Sequence, residues 1–442
     1  MIGHARRNTE LGLVVLAAVI TAGLYTLASL GRTASIPTNI VPFLLVVLGL
    51  LVAGHIAMRR LAPGADGVLL PIAGLLNGIG YVFIARLDER LAGLQATWSL
   101  IGVGAFIGTL LVLRRVRDLE QYRYTFMLVG IGLLLLPLVP GVGRTINGAR
   151  IWVSLGPLNF QPGEFAKVVL AVFFASYLVE KREVLGIAAR RVGPLVLPEL
   201  RHFGPVLLAW GASLVVMVAE KDLGSSLLFF ALFITMLWVA TERASYLAVG
   251  LVLFMGGAFM AWRAFAHVQE RVDIWLHPFA DASGKGYQVV QATFALAWGG
   301  IAGTGIGLGN PGRIPAAKTD FIFAAIGEEL GLLGTAAIVV AFLLMVGAGL
   351  RIALRADTPF ETLLATGLTT ILGVQAFIIM AGVIRLVPLT GITLPFVSYG
   401  GSSLVANYVL LALLLRISAG EPAAAPPPGA EDETTFGQVQ EQ

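Results

Sequence analysis

Apolar runs of about 20 residues recur from one end of this chain to the other, and that repetition leaves few folds open. A run of this length crosses ~30 Å of hydrocarbon as a helix. A helix meets its own backbone amides and carbonyls, as the bilayer interior requires. The chain therefore reads as all-α, a polytopic integral membrane protein. Its 57% hydrophobic and 13% charged residues agree with that class.

The runs fall near 11–30, 40–58, 68–85, 97–114, 124–139, 164–180, 203–219, 224–241, 246–263, 323–347, 359–384 and 393–417, so about twelve helices are expected. The least regular are 68–85, which holds Asn77 and several glycines, and the short 124–139 run. The first run is longer than the apolar part of a cleavable signal and further spans follow it, so it reads as a retained helix.

Short loops rich in Lys and Arg stay on the cytoplasmic side. An N-terminus inside the cell places Arg59, Arg60, Arg114, Arg115, Arg117, Lys181, Arg182, Arg351 and Arg355 there, and leaves far fewer basic residues in the alternate loops. Both termini are then cytoplasmic and residues 264–321 lie outside the cell. Beyond Arg416 the chain turns to Ala and Pro and then to Glu431-Asp432-Glu433, so 419–442 reads as a disordered cytoplasmic tail.

The net charge is +4 and the pI about 9.4, but the basic residues are spread over helix ends, which argues for membrane lipids and against nucleic acid as a partner. The absence of Cys excludes disulfides, thiol catalysis and Cys-ligated metal.

Three outward segments carry polar residues that a simple bundle does not need. The first runs from Gly143 through Arg144, Arg150 and Trp152 to Gln161-Pro162-Gly163-Glu164-Phe165-Ala166-Lys167. Pro162 suits a first helical turn, Glu164 sits where the helix dipole favours an anion, and Lys167 lies one turn on, so a helix start with a local ion pair and a functional site are both open. The second is Glu220-Lys221-Asp222-Leu223-Gly224-Ser225, where Asp222 is placed to cap the next helix.

The third contains six glycines between Gly299 and Gly309, too many for a regular lipid-exposed helix, and reads as re-entrant or interfacial structure lining a cavity. It ends in Lys318-Thr319-Asp320-Phe321-Ile322-Phe323 and then Gly327-Glu328-Glu329, with Asp320 or Thr319 as the expected cap of the following helix. Glu328 lies ~12 Å farther along that helix, where a carboxylate needs a partner; Lys167 and Lys221 are the candidates.

The runs Gln161-Pro162-Gly163-Glu164-Phe165-Ala166-Lys167, Asp222-Leu223-Gly224-Ser225, Thr319-Asp320-Phe321-Ile322-Phe323-Ala324 and Leu394-Pro395-Phe396-Val397-Ser398-Tyr399-Gly400-Gly401-Ser402-Ser403 resemble, in order, the motifs of the SEDS family of RodA, FtsW and SpoVE. The two extra N-terminal spans and Glu220-Lys221-Asp222 resemble actinobacterial RodA-type members most. The resemblance implies one membrane domain over 1–418, with a catalytic core about 97–418 and extra helices about 11–85. It also implies a peptidoglycan glycosyltransferase that polymerises lipid II on the outer face of the plasma membrane, for cell elongation and shape.

Within that resemblance Asp320 holds the place of the family's catalytic Asp and Trp152 that of its functional Trp. Asp320 is then the general base toward the GlcNAc 4-hydroxyl, and Arg144, Arg150, Lys167, Lys221 and Lys318 are the cations available to the undecaprenyl pyrophosphate leaving group. Glu164 and Asp222 complete the expected substrate site, while Glu328 and Glu329 are expected as structural or cation partners. A divalent cation (Mg or Mn) bridging pyrophosphate and carboxylate is open, its ligands unknown, and no organic cofactor is expected. The implied partner is a class B penicillin-binding protein acting as transpeptidase. The chain departs from the family in Ile314-Pro315-Ala316-Ala317-Lys318, where a Glu and a His are usual. A lipid II flippase, a small-solute transporter and a non-catalytic scaffold remain the alternatives.

Overall fold

The computed structural model describes residues 2–420 apart from 37–39, 147–148, 156–157, 188–189, 193–194, 198–210, 213–214 and 216–217. Helices in chain order are α1 (Ile2–Thr33), α2 (Ile40–Leu61), α3 (Leu69–Leu87), α4 (Glu89–Val112), α5 (Arg123–Leu135), α6 (Pro162–Ile187), α7 (Leu223–Thr241), α8 (Ser245–Ala264), α9 (Ala266–Leu276), α10 (Tyr287–Gly299), α11 (Ile322–Arg355), α12 (Pro359–Val383) and α13 (Gly401–Ala419).

Among the described residues ten helices are long and apolar enough to cross a membrane, so the all-α polytopic class holds while twelve is not the number they carry. The run at 40–58 is present as α2 but is not one of the ten, and most of the run at 203–219 lies outside the described residues, as does the tail beyond 420. The run at 393–417 is helical only from Gly401, its first part forming a turn.

Burial orders the bundle. α13 is the most enclosed span and α5 the least. The irregular run at 68–85 is α3, a well-buried core helix, and Asn77 belongs there because its Nδ2 donates to Ser99 Oγ at 3.2 Å and Tyr408 OH at 3.1 Å. A polar side chain inside a bundle is tolerated when its donors are met by neighbouring helices.

At one end of the bundle β1 (Gly143–Ile146), β2 (Ala149–Leu155) and β3 (Leu158–Phe160) form a small antiparallel sheet where the sequence reads only as a polar loop. The Gly-rich segment starts with α10, whose 13 residues reach ~20 Å and cannot cross a bilayer.

The same segment repairs a break in α11. At Gly331 φ is +64° and ψ −162°, a conformation open only to glycine, and the helical hydrogen-bond ladder stops there. Glu328 O and Glu329 O accept instead from Thr304 N (2.9 Å) and Gly305 N (3.1 Å), while Leu332 N and Leu333 N donate to Gly300 O (2.9 Å) and Ile301 O (3.2 Å). Such contact needs bare backbone, since a Cβ on Gly303 would lie 2.2 Å from Glu329 O. Beyond the break, 332–355 is long enough to span ~30 Å by itself, so Ile322–Leu330 is a separate short rod packed within protein.

Candidate active site

A cavity of about 1090 Å³ opens at the end of the bundle that carries the sheet, between α9, the start of α10, the 315–320 turn and the 387–401 turn. Its wall includes Asp320, Trp152, Glu164, Lys221 and Asp222, five of the residues expected from sequence.

Asp320 sits at the end of a turn held from both sides. Ser398 Oγ donates to Thr319 O (2.7 Å), Tyr399 N donates to Lys318 O (2.8 Å), and Leu394 N donates to Ser398 Oγ (2.9 Å). The Leu394–Tyr399 motif is thus a clasp on the backbone that presents the aspartate. Phe321, 1% exposed, anchors the next position in the core. Neither Asp320 nor Thr319 caps α11: the cap position is Phe321, without a side-chain bond, so the Asp320 carboxylate faces the cavity. Burial raises its pKa to about 6, against the pull of Arg271 and Thr319 and with a push from Asp222.

Asp222 does cap its helix, accepting from Ser225 N (3.1 Å) and Ser225 Oγ (2.6 Å), and it lines the cavity as well. Burial raises its pKa, opposed by these bonds and by Arg271. Lys221, with φ +57°, takes a left-handed turn between the preceding helical residues and this cap, which brings it to the cavity wall.

Glu164 and Lys167 form the expected pair, Nζ to Oε2 2.6 Å, but Lys167 is 2% exposed and also donates to Gln375 Oε1 at 2.6 Å. Gln375 Nε2 in turn donates to Thr393 O at 2.8 Å. Lys167 is committed to this buried network behind the wall. It is not the partner of Glu328, whose Oε1 accepts from Asn310 N at 2.6 Å. Glu329 pairs with Arg86 at 2.5 Å and accepts from Gly307 N at 3.1 Å.

Lys318 is also engaged, its Nζ 2.7 Å from Asp88 Oδ2, a contact that holds the Asp88 carboxyl below its usual range. The corner between α3 and α4 therefore grips the 309–329 segment twice, through Arg86 at Glu329 and Gly309 O and through Asp88 at Lys318. Arg144 stands opposite Trp152 in the sheet register, and Arg150 donates to Val139 O at 3.3 Å; neither lines the cavity.

The cavity wall also holds Tyr399 of the fourth motif and residues that sequence reasoning passed over: Arg271, His267, Glu270 and Lys285. Arg271 donates to Leu389 O at 2.7 Å and acts electrostatically on both Asp320 and Asp222. His267 is held below its usual pKa by burial and by Lys221 and Arg271, so it is neutral at pH 7. A His, a Glu and an Arg on one polar helix and a Lys in the following turn give no spacing signal, and only their convergence marks them.

The family profile of FtsW, RodA and SpoVE, described as cell cycle protein, matches residues 82–422. The chain belongs to this family. A peptidoglycan glycosyltransferase RodA of Mycobacterium bovis is 45% identical over 426 residues, 94% of this chain and 91% of that one. The RodA of Mycobacterium leprae is 44% identical over 93% of this chain and 90% of its own length, and a probable peptidoglycan glycosyltransferase FtsW of Geobacter sp. (strain M18) is 34% identical over 82% and 98%. A chain from a structure on coordination of polymerization and crosslinking by a peptidoglycan synthase complex superposes with TM-score 0.65 and 28% identity, over 80% of this chain and 97% of that chain. The crystal structure of Thermus thermophilus RodA gives 0.57 and 25%, over 80% and 96%.

The FtsW/RodA/SpoVE match includes every residue of the cavity wall and leaves α1, α2 and most of α3 outside it. The wide polar cavity thus gathers the carboxylates Glu164, Asp222, Glu270 and Asp320 beside the cations Lys221, Arg271 and Lys285.

Proposed function

We propose that this chain is a peptidoglycan glycosyltransferase that polymerises lipid II, with Asp320 as its general base. The observation that carries the site assignment is the presentation of Asp320 into the cavity with its pKa raised to about 6 and Arg271 nearby. A base whose pKa lies near the working pH is ionised in water and still takes up a proton readily.

In the reaction the GlcNAc 4-hydroxyl of lipid II gives its proton to Asp320 Oδ as its oxygen attacks C1 of the sugar at the reducing end of the growing strand. The C1–O bond to undecaprenyl pyrophosphate breaks with inversion, and the pyrophosphate leaves with the bonding pair. Lys221 and Arg271, both in the wall, are the cations best placed for that negative charge. Glu164, Asp222 and Trp152 shape the binding surface. Lys167, Lys318, Glu328 and Glu329 are support for it, by the pairings they make.

A resident divalent cation fits the wall poorly: among the described residues no three His, Asp or Glu group together as ligands, and Arg271 acts on both Asp222 and Asp320. No step is routed through a metal. The distribution of Lys and Arg supports cytoplasmic termini and a cavity facing outward in the plasma membrane. Similarity to a chain of a peptidoglycan synthase complex supports a transpeptidase partner of the class B penicillin-binding type.

The test is polymerisation of labelled lipid II by the purified protein with its transpeptidase, comparing wild type with Asp320→Ala at equal folded yield. Strands from wild type and a loss of roughly 10²-fold or more in the variant are expected. Equal strand synthesis by both would remove Asp320 from the chemistry, and wild-type transport of lipid II without strands would make the protein a flippase.

A further inference from the structure

The rod Ile322–Leu330, which follows Asp320, is fixed at one end by the clasp on Lys318 and Thr319. Its other end is fixed by the Gly-rich loop. Gly307 N donates to Glu329 Oε2 (3.1 Å), Asn310 N donates to Glu328 Oε1 (2.6 Å), and Arg86 Nη2 donates to Gly309 O (2.7 Å). What then holds the loop is α1. A Cβ on Gly31 would lie 2.4 Å from Ile306 O, and one on Gly307 would lie 2.5 Å from Ala28 O, so helix and loop meet backbone against backbone. Around that contact Tyr25, Phe43 and Tyr81 stack at centroid distances of 4.0 and 4.9 Å, and Ile306 packs into the same cluster as Ala28 and Val82.

We propose that α1 is a positioning element of the active site: its Ala28–Gly31 turn seats the Gly305–Gly309 loop, which sets how the 322–330 rod presents Asp320. α1 lies outside the part of the chain that the family profile matches, so this support is added to the shared core. The solved relatives, aligned over almost their whole length, cover 80% of this chain and leave a fifth of it without counterpart. The inference rests on the reading of Asp320 as the base.

Gly31 and Gly23 give a matched pair on one helix, because a Cβ at Gly23 meets nothing within 4 Å. Gly31→Leu and Gly23→Leu are compared for kcat of strand synthesis, its pH profile, and hydrogen exchange at the Gly307 and Asn310 amides. For Gly31→Leu the expected result is faster exchange at both amides, a kcat at least tenfold lower, and an acid limb displaced from pH about 6 by half a unit or more. Gly23→Leu should match wild type.

Ile306→Ala, which removes a packing contact without a clash, is expected to act in the same direction with smaller size, and serves if Gly31→Leu does not fold. Loss of activity in proportion to folded protein, with the acid limb unmoved, would mean that α1 only stabilises the fold and would overturn the proposal. So would faster exchange with unchanged kcat. A wild type that makes no strands overturns the reading of Asp320, and exchange at the two amides still decides whether α1 seats the loop.

Discussion

Replacing Arg271 by Gln removes a positive charge from beside Asp320 without opening a large void. A methyl built on Gly391 would lie 3.7 Å from Asp320 Oδ2 and 3.8 Å from one Arg271 Nη, so the two charges are at most about 7.5 Å apart. At an effective dielectric of 20 that distance corresponds to an attraction of about 2 kcal/mol, or ~1.5 pKa units, and water in an open cavity reduces it to roughly 1. Arg271 favours the ionised carboxylate, so its loss should lift the Asp320 pKa from about 6 to ~7. The base is ionised above its pKa and protonated below it. At pH 6 the ionised fraction should fall from about one half to about one tenth, a roughly fivefold drop in kcat on top of the pH-independent loss of a cation facing the pyrophosphate, whereas at pH 8 the titration itself should add less than twofold. The assay is strand synthesis at saturating lipid II from pH 5 to 9, with Arg271→Lys as the charge-conserving control expected to keep the limb near its wild-type place. An acid limb that stays put in Arg271→Gln, or moves to lower pH, would refute the electrostatic coupling on which the assignment of the base depends.

Asp222→Asn should keep the cap and leave the melting temperature close to wild type, while Asp222→Ala costs about 1 kcal/mol in thermal unfolding. Because Asp222 pushes the Asp320 pKa up, Asp222→Asn should also move the acid limb slightly below pH 6, and a shift the other way would contradict that push. Gly331→Ala meets both a forbidden φ and a Cβ 2.3 Å from Gly303 N, so destabilisation of roughly 3 kcal/mol or more is expected in detergent melts; a wild-type melt would show that the break in α11 is not fixed by its backbone. Lys318→Ala should leave the melting temperature close to wild type, since its pair with Asp88 is open to solvent, and strand synthesis should stay within a few-fold; a hundredfold loss would return Lys318 to the substrate site.

The sequence by itself determined the membrane class, most of the spans and four motif positions, because each is a local property. An apolar run of about 20 residues is a helix in lipid, Asp222 before Leu223-Gly224-Ser225 is placed to cap one, and Glu164 and Lys167 at i and i+3 can meet on one face. Asp320 stood out only through the resemblance of its motif to the family's, while its local reading as a helix cap did not hold.

Which charges share a cavity is a different kind of question, since that depends on where distant segments pack. Only the fold brings Arg271 of α9 against Asp320, turns Lys318 aside to Asp88, and encloses Lys167 with Gln375 of α12. The fold alone also gives Glu328 the amide of Asn310, because Gly331 breaks the helix and lets a glycine loop dock on its free carbonyls. Spacing along a chain fixes neighbours within a few turns; which buried charge meets which partner is fixed by close approach of backbones far apart in sequence, and only tertiary packing decides that.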